Sequence, residues 1–397
     1  MKKYHQLLLL IVSVISLSLF LIYRHEYNRL HYVLEVFNFF GQPCNFSDLQ
    51  KSDNILNQHD WGPQPLWQES DNGYVYSAFL VGKIEVKAIA LQSDIKNIPR
   101  NCYLWFEDKK KAVPGKFKFS KIGNDENTVL TSYFYFCSLP NIENVPFAVS
   151  FSYKVKRDSD MKKILLTNTL DHKLNVNATV CISPSVFSKK RFIEFLSYHK
   201  LIGIESFIFY DKDIPYRLSK LVVNLSNRLA IQASFLPWNY PKSDSSLIRS
   251  IVENDCLLRT FGQSKYVVTL EINEYIVPTN SLSFESLIKD FGEDFHRLSL
   301  PVQKFCINNL NANKPIALQN FEVANDFNYN VVRYIRRNTQ SSNVISTNAV
   351  DKAHASIHKY VRCNLDPHKT TTDNSMMKFS TDFIRSTLVQ LLLHDQL

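Results

Sequence analysis

The sequence predicts an α/β protein with a mainly parallel sheet, preceded by a small antiparallel β domain and an N-terminal transmembrane helix. Three observations support this prediction. An uncharged apolar segment lies near the N-terminus, short strand-like segments follow, and strands alternate with helices after about residue 168. Repeated strand–helix units are typical of a parallel sheet with helices on both faces. We therefore expect a β-rich domain at 65–167, an α/β domain at 168–365 and a divergent C-terminal tail at 366–397.

The apolar segment at 7–23 has the features of an uncleaved signal-anchor. Two lysines precede it and an Arg-His pair closes it. A helix of this length spans about 26 Å, which is the lower limit for crossing a bilayer. A cleaved signal peptide is less favoured, because the residues that follow are too large for a cleavage site. We expect a single-pass type II protein with a cytoplasmic tail at 1–6 and a stem at 24–64.

Composition fits a chain whose body lies in the lumen. Seven cysteines are spread along it without a Cys-x-x-Cys pair, so we expect disulfides with at least one cysteine left over. Glycosylation sequons begin at Asn45, Asn177 and Asn224. The net charge of +9 suits an anionic ligand such as a nucleotide diphosphate, and it suits a basic surface without a partner equally well. Basic residues do not alternate with aromatic ones, so we expect no nucleic-acid partner.

The α/β half is predicted from alternating apolar patterns. Strands are expected at 178–182, 204–210, 231–236 and 266–270, and helices at 189–200, at 218–229 and around 247–258. In parallel sheets, ligands bind beyond the carboxyl ends of the strands. This rule places Asp211 and the acidic turn at 271–274 on the expected ligand side.

The acidic turn Glu271-Ile272-Asn273-Glu274 directly follows a predicted strand. Side chains separated by one residue in an extended segment point the same way, so Glu271 and Asn273 could hold a divalent cation through oxygen atoms. Such a cation would bridge the phosphates of a nucleotide sugar and stabilise the leaving diphosphate. The alternative, more frequent for the tetrapeptide alone, is an acidic turn that only ends a strand.

Five ordered segments match the pattern of one enzyme family. They are YVYSAF at 74–79, VCISP at 180–184, IEFLSYHKLIGIESF at 193–207, NDCLLR at 254–259 and KYVVTLEINEYIVP at 265–278. Over roughly residues 65–360, the chain thus resembles glycosyltransferase family 92. The resemblance implies a GT-A type fold, a UDP-sugar donor, a manganese-like cofactor and transfer of galactose onto a glycan.

The chain departs from the family at the cation site. The family has Asp-x-Asp-Glu where this chain has Glu271, Asn273 and Glu274, so one negative charge is lost and one carboxylate is displaced by a methylene. His358 corresponds to a family histidine near the metal, with His354 as a competitor and a surface histidine as the alternative. The resemblance therefore implies that Glu271, Asn273 and His358 hold Mn²⁺ or a similar cation, and that Glu274 helps to bind the nucleotide sugar.

Five further residues are candidates for the donor and acceptor sites. Asp211 could lie near the uridine, or cap a loop, and Trp238 could line the sugar site, or pack in the core. An inverting transferase also needs a carboxylate base. The candidates are Glu322, Asp326 and Glu285; nothing in the sequence selects among them, and Glu322 is our first choice.

Two hypotheses follow. The first is a Golgi membrane transferase that moves a hexose, galactose in the first place, from UDP to a glycan on a glycoprotein or glycolipid. The second is a non-enzymatic paralogue that keeps the scaffold to bind glycans or a protein. Asn273 and the missing His-Tyr-Arg-like segment at the C-terminus motivate the second hypothesis. In its place, residues 379–397 have the pattern of an amphipathic helix.

Overall fold

The computed structural model describes residues 15–19 and most of 66–393. The gaps within the second range are 71–72, 82–84, 124–129, 140–143, 168–175, 187, 213, 242–246, 293–294, 309–310, 312–313, 325–330, 339–345 and 364–369. Contacts divide the chain into one unit at Met1–Gly62 and another at Pro63–Leu397.

In the first unit, the described residues 15–19 are helical and exposed. Of the helices that the structure describes, none has the length and apolar character needed to span a bilayer. The rest of the predicted anchor, the predicted stem and Asn45 lie outside the described residues.

A seven-stranded β-barrel opens the second unit. This part of the chain has the strands β1 (Gln68–Ser70), β2 (Gly73–Val81), β3 (Glu85–Gln92), β4 (Asn101–Trp105), β5 (Val113–Gly123), β6 (Thr131–Ser138), β7 (Ala148–Ser152) and β8 (Ile164–Thr167). The barrel strands have the spatial order β2-β3-β6-β5-β4-β7-β8, and β8 returns to pair with β2, while β1 adds to β2 outside the ring. Neighbouring strands are antiparallel except for the closing pair, which is parallel and sets Ala78 opposite Leu166.

A disulfide between Cys102 on β4 and Cys137 on β6 lies in the apolar interior of the barrel. The strand between them, β5, carries Gly115 at the crossing point. A Cβ atom there would lie 2.6 Å from Cys137 Sγ and 3.1 Å from Cys102 Sγ. Only glycine therefore lets the bridge pass over β5 without displacing a sulfur atom.

An eleven-stranded mixed sheet with helices forms the rest of the second unit. Its strands are β9 (Val176–Ile182), β10 (Ser206–Asp211), β11 (Gln232–Pro237), β12 (Ser264–Leu270), β13 (Glu274–Pro278), β14 (Arg297–Cys306), β15 (Glu322–Ala324), β16 (Val332–Arg337), β17 (Thr347–Ala349), β18 (Ala355–Val361) and β19 (Thr370–Thr372). Four neighbours, β11-β10-β9-β12, are parallel. Beyond β12 the sheet continues with antiparallel β16 and β14. The predicted mainly parallel sheet is therefore confirmed only in part: these four strands are parallel and β14 is parallel to β17 and β18, but the other pairings of the sheet are antiparallel.

Helices follow the parallel strands in the predicted order. They are α1 (Lys189–Leu201), α2 (Tyr216–Leu229), α3 (Leu247–Arg259), α4 (Phe284–Asp290), α5 (Ser380–Arg385) and α6 (Thr387–Leu393), with 3₁₀ turns at Ile95–Asn97, Asp158–Asp160, Ile316–Leu318 and Ser375–Phe379. The single amphipathic helix expected in the tail is two short helices. They are joined to the core of the α/β half, because the rings of Phe379 and Phe383 pack on Tyr198 of α1 at 5.3 and 5.5 Å between centroids.

Helix α3 connects the barrel to the sheet. Its buried Ile251 and Val252 belong to one apolar cluster with Tyr76 and Ile89 from the barrel and with residues of β10 and β11. Burying an aliphatic side chain of this size stabilises the fold by about 1.5–3 kcal/mol. A disulfide between Cys181 of β9 and Cys256 fixes the same helix to the centre of the sheet.

A buried carboxylate on α3 reinforces this connection. Asp255 accepts hydrogen bonds from Ser77 Oγ of the barrel at 2.5 Å and from the Tyr210 hydroxyl of β10 at 2.6 Å. Arg259 donates to it twice, from Nε at 2.9 Å and from Nη2 at 3.0 Å. Both carboxylate oxygens are thus used, which is the condition for burying a charge without a large cost.

Three disulfides satisfy the expectation drawn from the cysteine count. The third joins Cys306, at the end of β14, to Cys363, just after β18. Cys44, the seventh cysteine, lies outside the described residues.

Glu194 on α1 gives the α/β half a pH dependence of its own. Its side chain is buried, with Oε2 accepting the Ile316 N–H at 3.0 Å and Oε1 lying 3.8 Å from Lys190 Nζ. Burial outweighs these contacts and raises the pKa of Glu194 from 4.5 to about 7. Between these values the unfolded chain releases the proton first, so the free energy of unfolding falls as the pH rises.

Glu194→Gln is therefore expected to stabilise the protein at pH 8 by about 2 kcal/mol and to have little effect at pH 4.5, because the amide carries no charge to desolvate. Urea unfolding at both pH values measures the difference. Glu253→Gln, a carboxylate on α3 with no such burial, is the control. An equal effect of Glu194→Gln at both pH values would contradict the raised pKa of Glu194.

Candidate functional site

The acidic turn lies at the edge of the sheet where the parallel strands end. Since β9, β10, β11 and β12 run the same way, their carboxyl ends meet at this edge. The turn joins β12 to β13 and is closed by the Glu274 N–H, which donates to the Glu271 carbonyl at 2.9 Å. The turn therefore lies at the carboxyl edge of the parallel strands, the edge at which open α/β sheets bind ligands.

Five charged side chains meet at the turn, and we name them the charged cluster. They are Glu271 and Glu274 of the turn, Arg249 of α3, Arg333 of β16 and Lys359 of β18. Lys359 reaches the cluster because β18 pairs with β13 in a register that sets it opposite Glu274. Three cations and two carboxylates give the cluster a net charge of +1.

Glu274 forms the floor of the charged cluster and is fully buried. Arg333 Nε donates to its two oxygens at 3.1 and 2.9 Å, and Arg333 Nη2 is also bonded to it. Arg249 Nη2 and the Glu271 N–H donate to Oε2 at 3.1 and 3.0 Å. Burial alone would raise the pKa of Glu274, but the hydrogen bonds from Arg333 and the nearby positive charges lower it to about 2. The carboxylate is therefore ionised at neutral pH.

Glu271 lies at the rim, with 33% of its side chain exposed. Its Oε1 is 3.2 Å from Arg249 Nη2 and 3.5 Å from Arg333 Nη2, and its Oε2 is 2.7 Å from Lys359 Nζ. Arg249 and Lys359 share the rim, with 28% and 21% of their side chains exposed, whereas Arg333 is 8% exposed. A ligand from solvent can therefore reach these two rim cations first.

Asn273 is half-buried and ties the turn to β18. Its side-chain Nδ2 donates to the Tyr360 carbonyl at 3.1 Å, and its backbone carbonyl accepts the Tyr360 N–H at 2.9 Å. The amide group that was expected to ligate a cation thus serves as a hydrogen-bond donor to the backbone.

The structure does not bring His358 to the charged cluster. Successive residues of a strand point to opposite faces, so His358 points away from the side that Lys359 shares with Glu274. Its ring is fully buried, stacked on Phe305 at 4.1 Å between centroids, and its Nε2 lies 3.4 Å from Ser375 Oγ. Burial lowers the pKa of His358 well below 6.5, so the ring is neutral. His354 is exposed, and nowhere in the described ranges do three or more His, Cys, Asp or Glu side chains group as metal ligands.

Trp238 and Asp211 both lie near the carboxyl edge but have structural partners. Trp238 is buried among aromatic rings, with Tyr76 of the barrel at 5.0 Å and Tyr240 stacked at 5.7 Å between centroids. Asp211 is half-buried, and its Oδ1 accepts the Ile214 N–H at 2.6 Å. These contacts are those of the core-packing and loop-capping alternatives.

The candidate bases are dispersed. Glu322, exposed at the start of β15, accepts a hydrogen bond from Asn308 Nδ2 at 2.5 Å. Glu285 on α4 pairs with Lys289 at 2.8 Å on the surface, and Asp326 lies outside the described residues. Of the predicted glycosylation sites, Asn177 on β9 and Asn224 on α2 are exposed.

Sequence reasoning missed the three cations of the charged cluster. Arg333 interrupts the otherwise apolar segment VVRYI, and Lys359 lies between His358 and Tyr360 in the strand segment SIHKY. A charged residue within a buried strand requires a partner of opposite charge, and this signal could have drawn attention to both. Their pairing with the turn could not be read locally, because 59 and 88 residues separate them from Glu274 and Glu271 respectively.

Comparison with known proteins decides the family. Residues 176–387, more than half of the chain, match the family model described as Glycosyltransferase family 92. The chain belongs to glycosyltransferase family 92. No curated protein resembles the family 92 chain closely enough to count as a match. A nucleoside-diphosphate-sugar pyrophosphorylase from Vibrio cholerae RC9 is similar over 53% of this chain and 100% of its own, at 9% identity and a TM-score of 0.23. A likeness this weak carries no argument.

The family 92 match includes the whole charged cluster, from Arg249 to Lys359, and it leaves out the barrel. Membership supports glycosyltransferase activity and a glycan acceptor, and it places the cluster within the segment that defines the family.

Proposed function

We propose that this chain is a membrane-anchored hexosyltransferase of the Golgi lumen, which transfers a hexose, galactose in the first place, from UDP to a glycan on a glycoprotein or glycolipid. The observation that carries the proposal is the position of the charged cluster. It lies at the carboxyl edge of four parallel strands, within the segment that matches the family. That edge is where open α/β sheets bind nucleotides.

The topology supports a GT-A type assignment for the α/β half. Strands β9, β10 and β11 are laid side by side in chain order, and β12 returns to the other side of β9, as in a doubly wound nucleotide-binding sheet. The antiparallel strands beyond β12 supply Arg333 and Lys359 to the nucleotide edge.

A lumenal location has independent support from the covalent structure. Three disulfides close within the described residues, and disulfides persist in oxidising compartments. Two predicted glycosylation asparagines are exposed. Together with the apolar segment at 7–23, they favour a type II protein whose body faces the lumen.

Transfer of a hexose from UDP leaves a diphosphate with a developing negative charge. Fixed cations near that group stabilise the transition state more than the ground state, which is how electrostatic catalysis lowers a barrier. Arg333 is fixed by Glu274, and Arg249 donates to the Thr269 carbonyl at 3.1 Å, so both guanidinium groups are held before the donor arrives. Glu322 is the proposed base for the acceptor hydroxyl.

The test is release of UDP by the full-length chain in detergent, with a panel of glycan acceptors and with UDP-galactose, UDP-glucose and UDP-N-acetylglucosamine as donors. We expect acceptor-dependent release that is fastest with UDP-galactose. Glu322→Gln should lower it by about 100-fold or more, since a positioned base contributes that much. Lys289→Gln, on the surface of α4, should leave the rate unchanged. Release of UDP no faster than in buffer alone, with every donor and every acceptor of the panel, would contradict the proposal.

A second candidate function is a scaffold that binds glycans or a protein without turnover. Asn273 favours it, because its neutral side chain supplies no negative charge for a cation and its amide nitrogen donates to the Tyr360 carbonyl. Glycan binding by the full-length chain, together with a gain of cation affinity but no turnover in Asn273→Asp, would favour this candidate over the enzyme.

A further inference from the structure

We infer that Arg249, Arg333 and Lys359 hold the diphosphate of the donor directly, in the place where family resemblance implies a divalent cation. This inference rests on the proposed function and specifies how its site recognises the donor. It also makes donor binding independent of manganese.

The ligands expected for a cation are already occupied by cations of the protein. All four carboxylate oxygens of Glu271 and Glu274 lie within 3.5 Å of a lysine or arginine nitrogen. A divalent ion requires oxygen ligands at about 2.0–2.6 Å, so it would lie beside these positive groups. With a cluster charge of +1 before it binds, such an ion would meet net repulsion rather than attraction.

The two other expected metal ligands, Asn273 and His358, do not offset the positive charge of the cluster. Asn273 is neutral, so its side-chain oxygen adds no negative charge, and its N–H group already donates to a backbone carbonyl; His358 is buried on the opposite face of β18. The residues present therefore do not fit a metal centre of the expected kind.

The same geometry does fit an anion. The Glu271 carboxylate lies between Arg249, Arg333 and Lys359 at the solvent rim, so it occupies the position that a phosphate would take. Guanidinium groups match phosphate oxygens in a fixed fork, and lysine adds a compact charge. Glu274 beneath them keeps Arg333 in place. A donor phosphate can thus displace the carboxylate of Glu271 and gain all three cations.

Glu271 would have opposite effects on UDP binding in a metal site and in an anion site, so a substitution of Glu271 distinguishes the two. As a metal ligand, it would be required for binding of UDP. As a competitor of the phosphate, it weakens that binding, and its removal raises the cluster charge from +1 to +2. Glu271→Gln should therefore bind UDP about fivefold more tightly, the effect of one unit charge within a few ångströms in water-like surroundings.

The experiment is calorimetric titration of the full-length chain in detergent with UDP, once in EDTA and once in Mn²⁺. We expect dissociation constants within about twofold of each other in the two buffers. Lys359→Gln should weaken binding by about tenfold, as for loss of one charge-assisted hydrogen bond, and Lys359→Arg should restore most of it. The controls are Glu253→Gln, whose carboxylate pairs with Arg336 at 2.7 Å, and Lys289→Gln; both should bind as the unaltered chain does.

UDP binding that requires Mn²⁺ and is abolished in Glu271→Gln would overturn the inference and leave the proposed function intact. Absence of UDP binding in both buffers would instead count against the proposed function, and inorganic pyrophosphate then tests the cluster by itself. Pyrophosphate that binds in EDTA and is lost in Lys359→Gln, with the melting temperature of that variant unchanged, supports the anion site. Failure of pyrophosphate to bind overturns it.

Discussion

Asp255→Asn is expected to lower the free energy of unfolding by about 3–5 kcal/mol, the cost of leaving one partner of a buried ion pair alone. The carboxylate is fully buried and has four hydrogen bonds, two of them from Arg259. The asparagine side chain has the shape of the aspartate but no charge, and its NH₂ group must face a hydrogen-bond donor because all four partners of Asp255 donate. Arg259, 13% exposed, would then lie over the ring of Phe79 without a counterion.

Urea unfolding of the full-length chain at pH 7 measures this effect. Ser77→Ala and Tyr210→Phe each remove a single hydrogen bond and should cost about 1 kcal/mol, because Asp255 keeps Arg259. Glu253→Gln on the same helix breaks a partly exposed ion pair and should cost no more than about 1 kcal/mol. An Asp255→Asn variant as stable as Glu253→Gln would contradict the importance of the network.

Glu274→Gln is the second substitution with a large expected effect, again about 3–5 kcal/mol. It leaves Arg333 buried and reduces the charged cluster to Glu271 against three cations. Three cations would then be held close together beneath a single carboxylate that is one-third exposed. Mutual repulsion adds to the desolvation of Arg333, so the strands that carry these cations, β16 and β18, lose stability.

A double-mutant cycle with Arg333→Met tests this explanation. Methionine fills much of the same volume without a charge, so it removes the group that Glu274→Gln would leave unpaired. The double variant should be more stable than the sum of the two single effects predicts, by at least about 1 kcal/mol. Strict additivity would mean that the two side chains do not interact energetically.

The local patterns predicted the parallel half of the sheet well. Helix α1 was expected at 189–200 and is observed at Lys189–Leu201, where Ser188 caps its start by accepting the Arg191 N–H. Strand β12 was expected at 266–270 and extends over Ser264–Leu270. Such elements are short in sequence and apolar on a regular period, so their signal is contained within about a dozen residues.

Pairings between distant segments could not be predicted in the same way. The barrel closes through Ala78 and Leu166, and nothing near either residue indicates the other. The acidic turn of the site was predicted, but its three cations were missed for a related reason. The register between β13 and β18 decides whether His358 or Lys359 faces the acidic turn, and a shift by one residue would exchange them. The resemblance pointed to His358, whereas the observed register brings Lys359 to the turn.

Helix α3 makes three connections within one short segment. Arg249 belongs to the charged cluster, Cys256 forms the disulfide to β9, and Asp255 contacts the barrel. The barrel and the sheet are therefore held together through the same helix. A gene fusion that kept only residues 176–387 would expose the apolar side of α3 and deprive Asp255 of the Ser77 hydroxyl. The segment that matches the family model thus leaves out barrel residues on which α3 packs, and we expect it to be less stable by itself than the whole second unit.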